Sequence, residues 1–306
     1  MSLSIRTPNR SFIGLLASVA IFAIAFMTPS AHGQIFVTTS TGVAEYNLDG
    51  SLANASLISG SGFGGIAVSG SDLFVTNYSN GTVGEYNAFT GAAIYASLIS
   101  GLSSPYSIAV SGSNLFVQNG NNVDEYSTSG GILNASLISS SGNLQKIAVS
   151  GSNLFLVSGT GMSSTVSIYP TSGGAGITLI QEQNIFPTSI AAFGSNVFVA
   201  NQLNVSEYNF SGGLINASFG GGAGGPIETI ATSESGLFEL NISSNQTLRE
   251  YDAITGATIN ASLITGLNTG YIAVEGTAVP EPSTYAAIMG FASVGFVMVR
   301  RRFVRK

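Results

Sequence analysis

The sequence contains no cysteine and no tryptophan, and its single histidine is His32. Disulfides, thiolate metal sites and cysteine nucleophiles are therefore excluded. Any imidazole-based triad has only His32 to draw on. Charge is also scarce, at 8% of residues against 44% hydrophobic, which is not the composition of a disordered acidic chain. Basic residues are scarcest in the middle. Arg6, Arg10, Arg300, Arg301, Arg302, Arg305 and Lys306 lie near the termini, leaving only Lys146 and Arg249 between. Fourteen acidic residues stand against those two from 34 to 279, a net charge of −12. Such a surface repels phosphate backbones, so nucleic acid is not an expected partner.

What the chain does have is glycine, 39 residues of it, and a repeat. Three markers each recur six times. An apolar triplet begins at Ile66, Ile108, Ile147, Ile190, Ile230 and Ile272. A strand is centred on Phe36, Phe74, Phe116, Phe155, Phe198 and Phe238. Another ends on Tyr46, Tyr86, Tyr126, Tyr169, Tyr208 and Tyr251. The spacings run from 38 to 43 residues with no helical pattern, the signature of β-propeller blades.

Each unit reads as four strands. Ile-Ala-Val is innermost and Ser-Gly-Ser-Asn makes a tight turn. Leu-Phe-Val, Val-x-Glu-Tyr and Ala-Ser-Leu-Ile follow. Val83 and Tyr86 are three apart and point to opposite faces of their strand, so both faces of a blade are expected to be buried. Gln34-Ile35-Phe36-Val37 starts at strand two with no innermost strand before it, and Ile272-Ala273-Val274 is an innermost strand with nothing after it. The two ends complete one blade, which predicts a closed ring of six blades without free inner edges. The alternative, a β-solenoid, gives those broken ends no meaning. The units resemble the NHL and related six-bladed propeller repeats over residues 34 to 276, and that resemblance implies a fold, not a function.

The termini carry addresses. Arg6 and Arg10, the 16-residue apolar run Phe12 to Met27, and Ala31 and Gly33 before Gln34 read as a secretory signal over 1–33. Cleavage there removes His32. An uncleaved anchor is the alternative, for which the run is short. At the other end stand Pro280-Glu281-Pro282, the apolar run Tyr285 to Val299, and Arg300-Arg301-Arg302. This arrangement resembles a PEP-CTERM sorting signal, here 277–306 with a membrane segment over 285–299. The resemblance implies export, transient membrane contact through the tail, and processing by a membrane-embedded exosortase. The prolines keep the triplet extended and the arginines stay cytoplasmic. A plain C-terminal anchor is the alternative.

A metal ring formed by Glu45, Glu85, Glu125, Glu207 and Glu250 is excluded by geometry, because strand three lies about 10 Å further from the axis than strand one. In the loops entering strand one only Lys146 and Glu228 are ionisable, too few for a general acid/base pair or a metal cage. No catalytic residue, metal or cofactor is expected. The mouth does collect Tyr106 and Tyr271, with Tyr78, Asn119 and Asn201 in the strand two–three loops, and Phe63 and Phe186 as expected channel plugs. Aromatic faces beside amides and hydroxyls suit uncharged polar ligands such as sugars. The candidate ligand face is therefore Tyr78, Tyr106, Asn119, Lys146, Asn201, Glu228 and Tyr271. The Asn-x-Ser triplets at Asn54, Asn134, Asn216 and Asn260 are read as repeat chemistry. The reading that follows is an exported, non-catalytic propeller of the cell envelope or extracellular polysaccharide matrix. Its expected partners are an exosortase and either extracellular polysaccharide or another envelope protein. A metal-dependent lactonase or hydrolase and a protein-interaction scaffold are the alternatives.

Overall fold

The computed structural model describes residues 33–140, 142–160, 163–183, 187–220, 225–234, 236–242, 246–267 and 270–275. The signal at 1–33, apart from Gly33, and the tail with its 285–299 run lie outside the described residues. Six four-stranded antiparallel sheets are arranged as the blades of a propeller. The innermost strands are Ile272–Glu275, Phe63–Ser69, Ile108–Ser111, Asn143–Ser150, Ser189–Phe193 and Ile227–Thr232, taken here as blades one to six. Each touches the innermost strands of both neighbours, which closes the ring. Closure uses the two ends of the repeat, as the broken copies predict: Ile35 pairs with Val274 and Val37 with Ile272.

Six hydrophobic clusters fill the six interfaces between blades. The strand-two phenylalanine faces forward and its aliphatic flanks face back. Phe36 packs against blade two, while Ile35 and Val37 pack against blade six. Val83 lies in the core shared with blade three and Tyr86 in the core shared with blade one, so both faces of a blade are indeed covered. The six phenylalanines are almost fully buried. Each such side chain contributes about 1.5–3 kcal/mol by leaving water.

Two repeated details come from tertiary contacts. On strand four, Asn54, Asn216 and Asn260 accept a hydrogen bond at 3.0 Å from the N–H of Ser56, Ser218 and Ser262. The pairing with strand three breaks register at these places. These three triplets are thus side-chain-capped bulges on the outer edge, which also blunt it against pairing with other strands, while in the Asn134 triplet the Ser136 N–H donates to Asp124 instead. In the strand three–four turn, Gly91 has φ +67°, and a Cβ there would fall 1.9 Å from the Leu57 carbonyl oxygen of the preceding blade. Only glycine fits both demands.

The strand polarity separates the two ends of the ring. The loops from strand four to one and from strand two to three share one end, the mouth. Gln34 pairs with Glu275 at the opposite end, where the tight turns lie. Both ends of the propeller chain therefore sit on the face away from the mouth.

Candidate functional site

The throat of the ring is set by the residue before each innermost Ile: Gly65, Ser107, Lys146, Ser189, Thr229 and Tyr271. Four are small. Lys146 and Tyr271 are large and come from blades four and one, three places apart in a ring of six. They meet across the axis, with Lys146 Nζ 3.5 Å from the Tyr271 ring centroid. Below this bar lies a channel cavity of about 200 Å³ lined by the Ile-Ala-Val strands. Above it opens a cup of about 570 Å³.

The cup wall is built mainly from blades one to three. Tyr78 and Tyr106 stack with centroids 4.8 Å apart and planes at 24°, each 39% exposed. Tyr78 is held by its N–H to the Gly62 carbonyl at 2.9 Å, and the Asn77 side chain clamps the same loop to Ser61 and Ser79. Tyr106 precedes Ser107, whose hydroxyl accepts from the Ile147 N–H at 3.0 Å and so ties the throat of blade three to that of blade four. Tyr271 donates its N–H to Thr38 Oγ1 at 2.8 Å. Glu228 occupies a β-bulge in the innermost strand of blade six, which turns its carboxylate into the cup. There Oε2 accepts from the Gly270 N–H at 3.3 Å. Gly270 has no room for a side chain, since a Cβ would fall 1.7 Å from the Thr38 carbonyl oxygen.

Electrostatics follow from burial. Desolvation pushes the Lys146 ammonium down to about 7, opposed by Glu228. Burial raises Glu228, and the Gly270 N–H and Lys146 oppose that rise. Tyr271 is pushed up to about 12, first by burial and then by Glu228, Tyr106 and Tyr78. Tyr271 therefore keeps its proton at neutral pH and acts as a hydrogen-bonding aromatic wall.

The structure brings Tyr78, Tyr106, Glu228 and Tyr271 together around the cup, while Lys146 lines the channel and rests on the Tyr271 ring. Asn119 and Asn201 are placed elsewhere. Asn119 donates to Asp124 at 2.7 Å and accepts from the Ser103 N–H at 2.8 Å. Asn201 accepts from the N–H groups of Leu203 and Asn204. Both amides are consumed in shaping their own loops. Phe63 is a cup wall packed on the core between blades one and two, not a plug; Phe186 lies outside the described residues. Thr38, Thr39, Ser40 and Ser61 complete the lining. Their sequence signal was only their place, next to Tyr271 in space through the shared blade.

The repeated glutamates line no part of the cup. Glu125 and Glu207 accept from the amides of Asn114 and Asn196 at 2.9 and 2.7 Å, and Glu45 accepts from Gln34. These are diagonal cross-strand pairs inside each blade. Among the described residues no group of three or more His, Asp or Glu is placed to hold a metal ion.

Residues 278–302 match the PEP-CTERM protein-sorting motif. The chain carries an exosortase sorting signal. The matched PEP-CTERM segment contains Pro280, Glu281, Pro282 and Arg300 to Arg302, and it marks an exported protein of the cell envelope or surface, processed by an exosortase and associated with the membrane. No curated protein matches the sequence. Among solved structures, a chain of the nidogen/laminin complex is similar with a TM-score of 0.64 and 12% identity, covering 79% of this PEP-CTERM chain and 98% of its own. The computationally designed Ika8 protein is similar with a TM-score of 0.50 and 12% identity, over 76% and 72%. At these identities the likeness concerns the fold alone.

Proposed function

We propose that this exported propeller is a non-catalytic binding module of the cell envelope or extracellular polysaccharide matrix, and that its cup takes sugar units of a matrix polymer. The observation that carries this is the cup: about 570 Å³, walled by the stacked Tyr78–Tyr106 pair and Tyr271, with Glu228 and several hydroxyls as polar contacts. Its size is that of a small-ligand site. Aromatic walls cover the C–H faces of a pyranose, while carboxylate and hydroxyl groups meet its OH groups.

The position of the cup favours this role. Both chain ends leave the propeller on the opposite face, at Gln34 and Glu275, and the sorting motif begins three residues after Glu275. A precursor held by its tail presents the cup away from the membrane. Removal of 280–306 is expected to abolish envelope sorting and leave the cup intact. The direct test is a glycan array with the protein and its Tyr106→Ala and Tyr271→Ala variants. Binding that both variants lose supports the reading, and an array without any hit rejects it.

A further inference from the structure

The saccharide reading leaves open the character of the sugar, and the cup carries information on it. Among the described residues its one carboxylate is Glu228. Its walls are tyrosine faces, whose quadrupoles attract ammonium groups. The surrounding propeller has a net charge of −12 over 34–279, which draws cations towards the cup and repels acidic polymers. One tyrosine face is already so occupied: Lys146 Nζ rests 3.5 Å from the Tyr271 centroid. Among the described residues this ammonium makes no hydrogen bond and no ion pair. An amine of the chain itself thus already rests on a tyrosine face.

Resting on the saccharide reading, we propose that the cup selects an amino sugar with a free ammonium, held between the tyrosine faces and Glu228. The ligand ammonium takes Glu228 as counter-charge and the Tyr78–Tyr106 wall as its stacking surface. Lys146 lines the channel below the cup, and burial favours release of its proton, which lessens its repulsion of the ligand. N-acetylation removes the charge and adds bulk, so the acetylated sugar loses the contact that the site is built to make. This separates a deacetylated glucosamine polymer from its acetylated form and from a neutral glucan.

Calorimetric titration of the full chain in detergent, with glucosamine, N-acetylglucosamine and glucose tetramers of the same linkage, tests this. The glucosamine tetramer is expected to bind at least about tenfold more tightly than the other two. Glu228→Gln is expected to bring the glucosamine tetramer down to the affinity of the neutral tetramers. Lys146→Met is expected to keep the preference. Equal binding of the acetylated and free-amine tetramers overturns the amino-sugar proposal and leaves the saccharide reading standing. A preference that survives Glu228→Gln overturns the proposal as well. No binding of any tetramer overturns both. The comparison among ligands is made on the unaltered protein, so it does not depend on the variants folding.

Discussion

Lys146 and Tyr271 face each other across the propeller axis, from blades four and one, with the ammonium 3.5 Å from the ring centroid. This bar divides the channel below from the cup above. It places a cation where the other four throat residues are small and uncharged, and desolvation there exceeds what one aromatic face returns.

The bar predicts a pH dependence. The folded chain releases the Lys146 proton near 7, while the unfolded chain keeps it up to its ordinary 10.5. Between those values the unfolded state binds more protons, so stability rises as pH rises. Glu228 and the tyrosines Tyr78, Tyr106 and Tyr271 are the other titratable groups around the ammonium. Burial raises Glu228 from its ordinary carboxylate value, and Tyr271, pushed up to about 12, keeps its proton across this window. Thermal melting of the wild type should climb from about pH 7 to about pH 9, and Lys146→Met should melt higher at neutral pH with a flatter profile. A Lys146→Met protein that melts lower at neutral pH contradicts this.

Blade two contains a flaw that its sisters repair. Blades three and five pair Asn114 with Glu125 and Asn196 with Glu207. Blade two puts Asp72 beside the buried Glu85, whose carboxyl is raised by burial and then by the Asp72 charge. Asp72→Asn supplies the missing donor and removes the like charge. It should stabilise by about 1 kcal/mol at neutral pH. Denaturant unfolding measures this, and the gain should shrink in acid as Glu85 takes up its proton.

Blade six carries an ion pair in an apolar slot, with a buried carboxylate and a partly exposed guanidinium. Glu239 stands where Val37, Val75, Val117, Leu156 and Val199 stand in the other blades. Arg249 Nη1 is 3.5 Å from its Oε1, and burial pushes Glu239 up to about 7. Arg249→Ala should cost about 3 kcal/mol, because it strands the carboxyl. The double change Glu239→Val with Arg249→Ser copies blade five, where Val199 faces Ser206, and should be neutral or stabilising. The same unfolding curves compare the two.

The interface between blades depends on Gly91. Alanine there meets the Leu57 carbonyl at 1.9 Å and a positive φ, so Gly91→Ala should destabilise by about 2 kcal/mol or more, whereas alanine at Gly70, with nothing within 4 Å, meets the φ penalty alone.

Much of this architecture is legible in the sequence because a blade's period is fixed by its geometry. The Ile, Phe and Tyr markers sit where two faces must be buried, and the broken copies at Gln34 and Ile272 imply closure. The pairing of Asn114 with Glu125 was not legible, since a diagonal neighbour appears only once the register is known. The contact of Gly91 with Leu57 crosses between blades and leaves no periodic trace. In the cup, Tyr106, Glu228 and Tyr271 stand next to the innermost strands, where the repeat places them. Asn119 and Asn201 shape their own loops and do not line the cup, a distinction the sequence does not carry because an amide in a loop serves equally to bind a ligand or to cap its own backbone. That Lys146 reaches Tyr271 follows from side-chain length across a six-membered ring, which the repeat alone does not specify.

The absence of tryptophan gives the central claim a direct probe, because the chain's intrinsic emission comes from 11 tyrosines, of which Tyr78, Tyr106 and Tyr271 wall the cup. Titrating the protein with matrix saccharides should change tyrosine emission saturably, and Tyr106→Ala should remove most of that change. Emission that stays constant across all saccharides, in a protein whose melting shows it folded, would contradict the account.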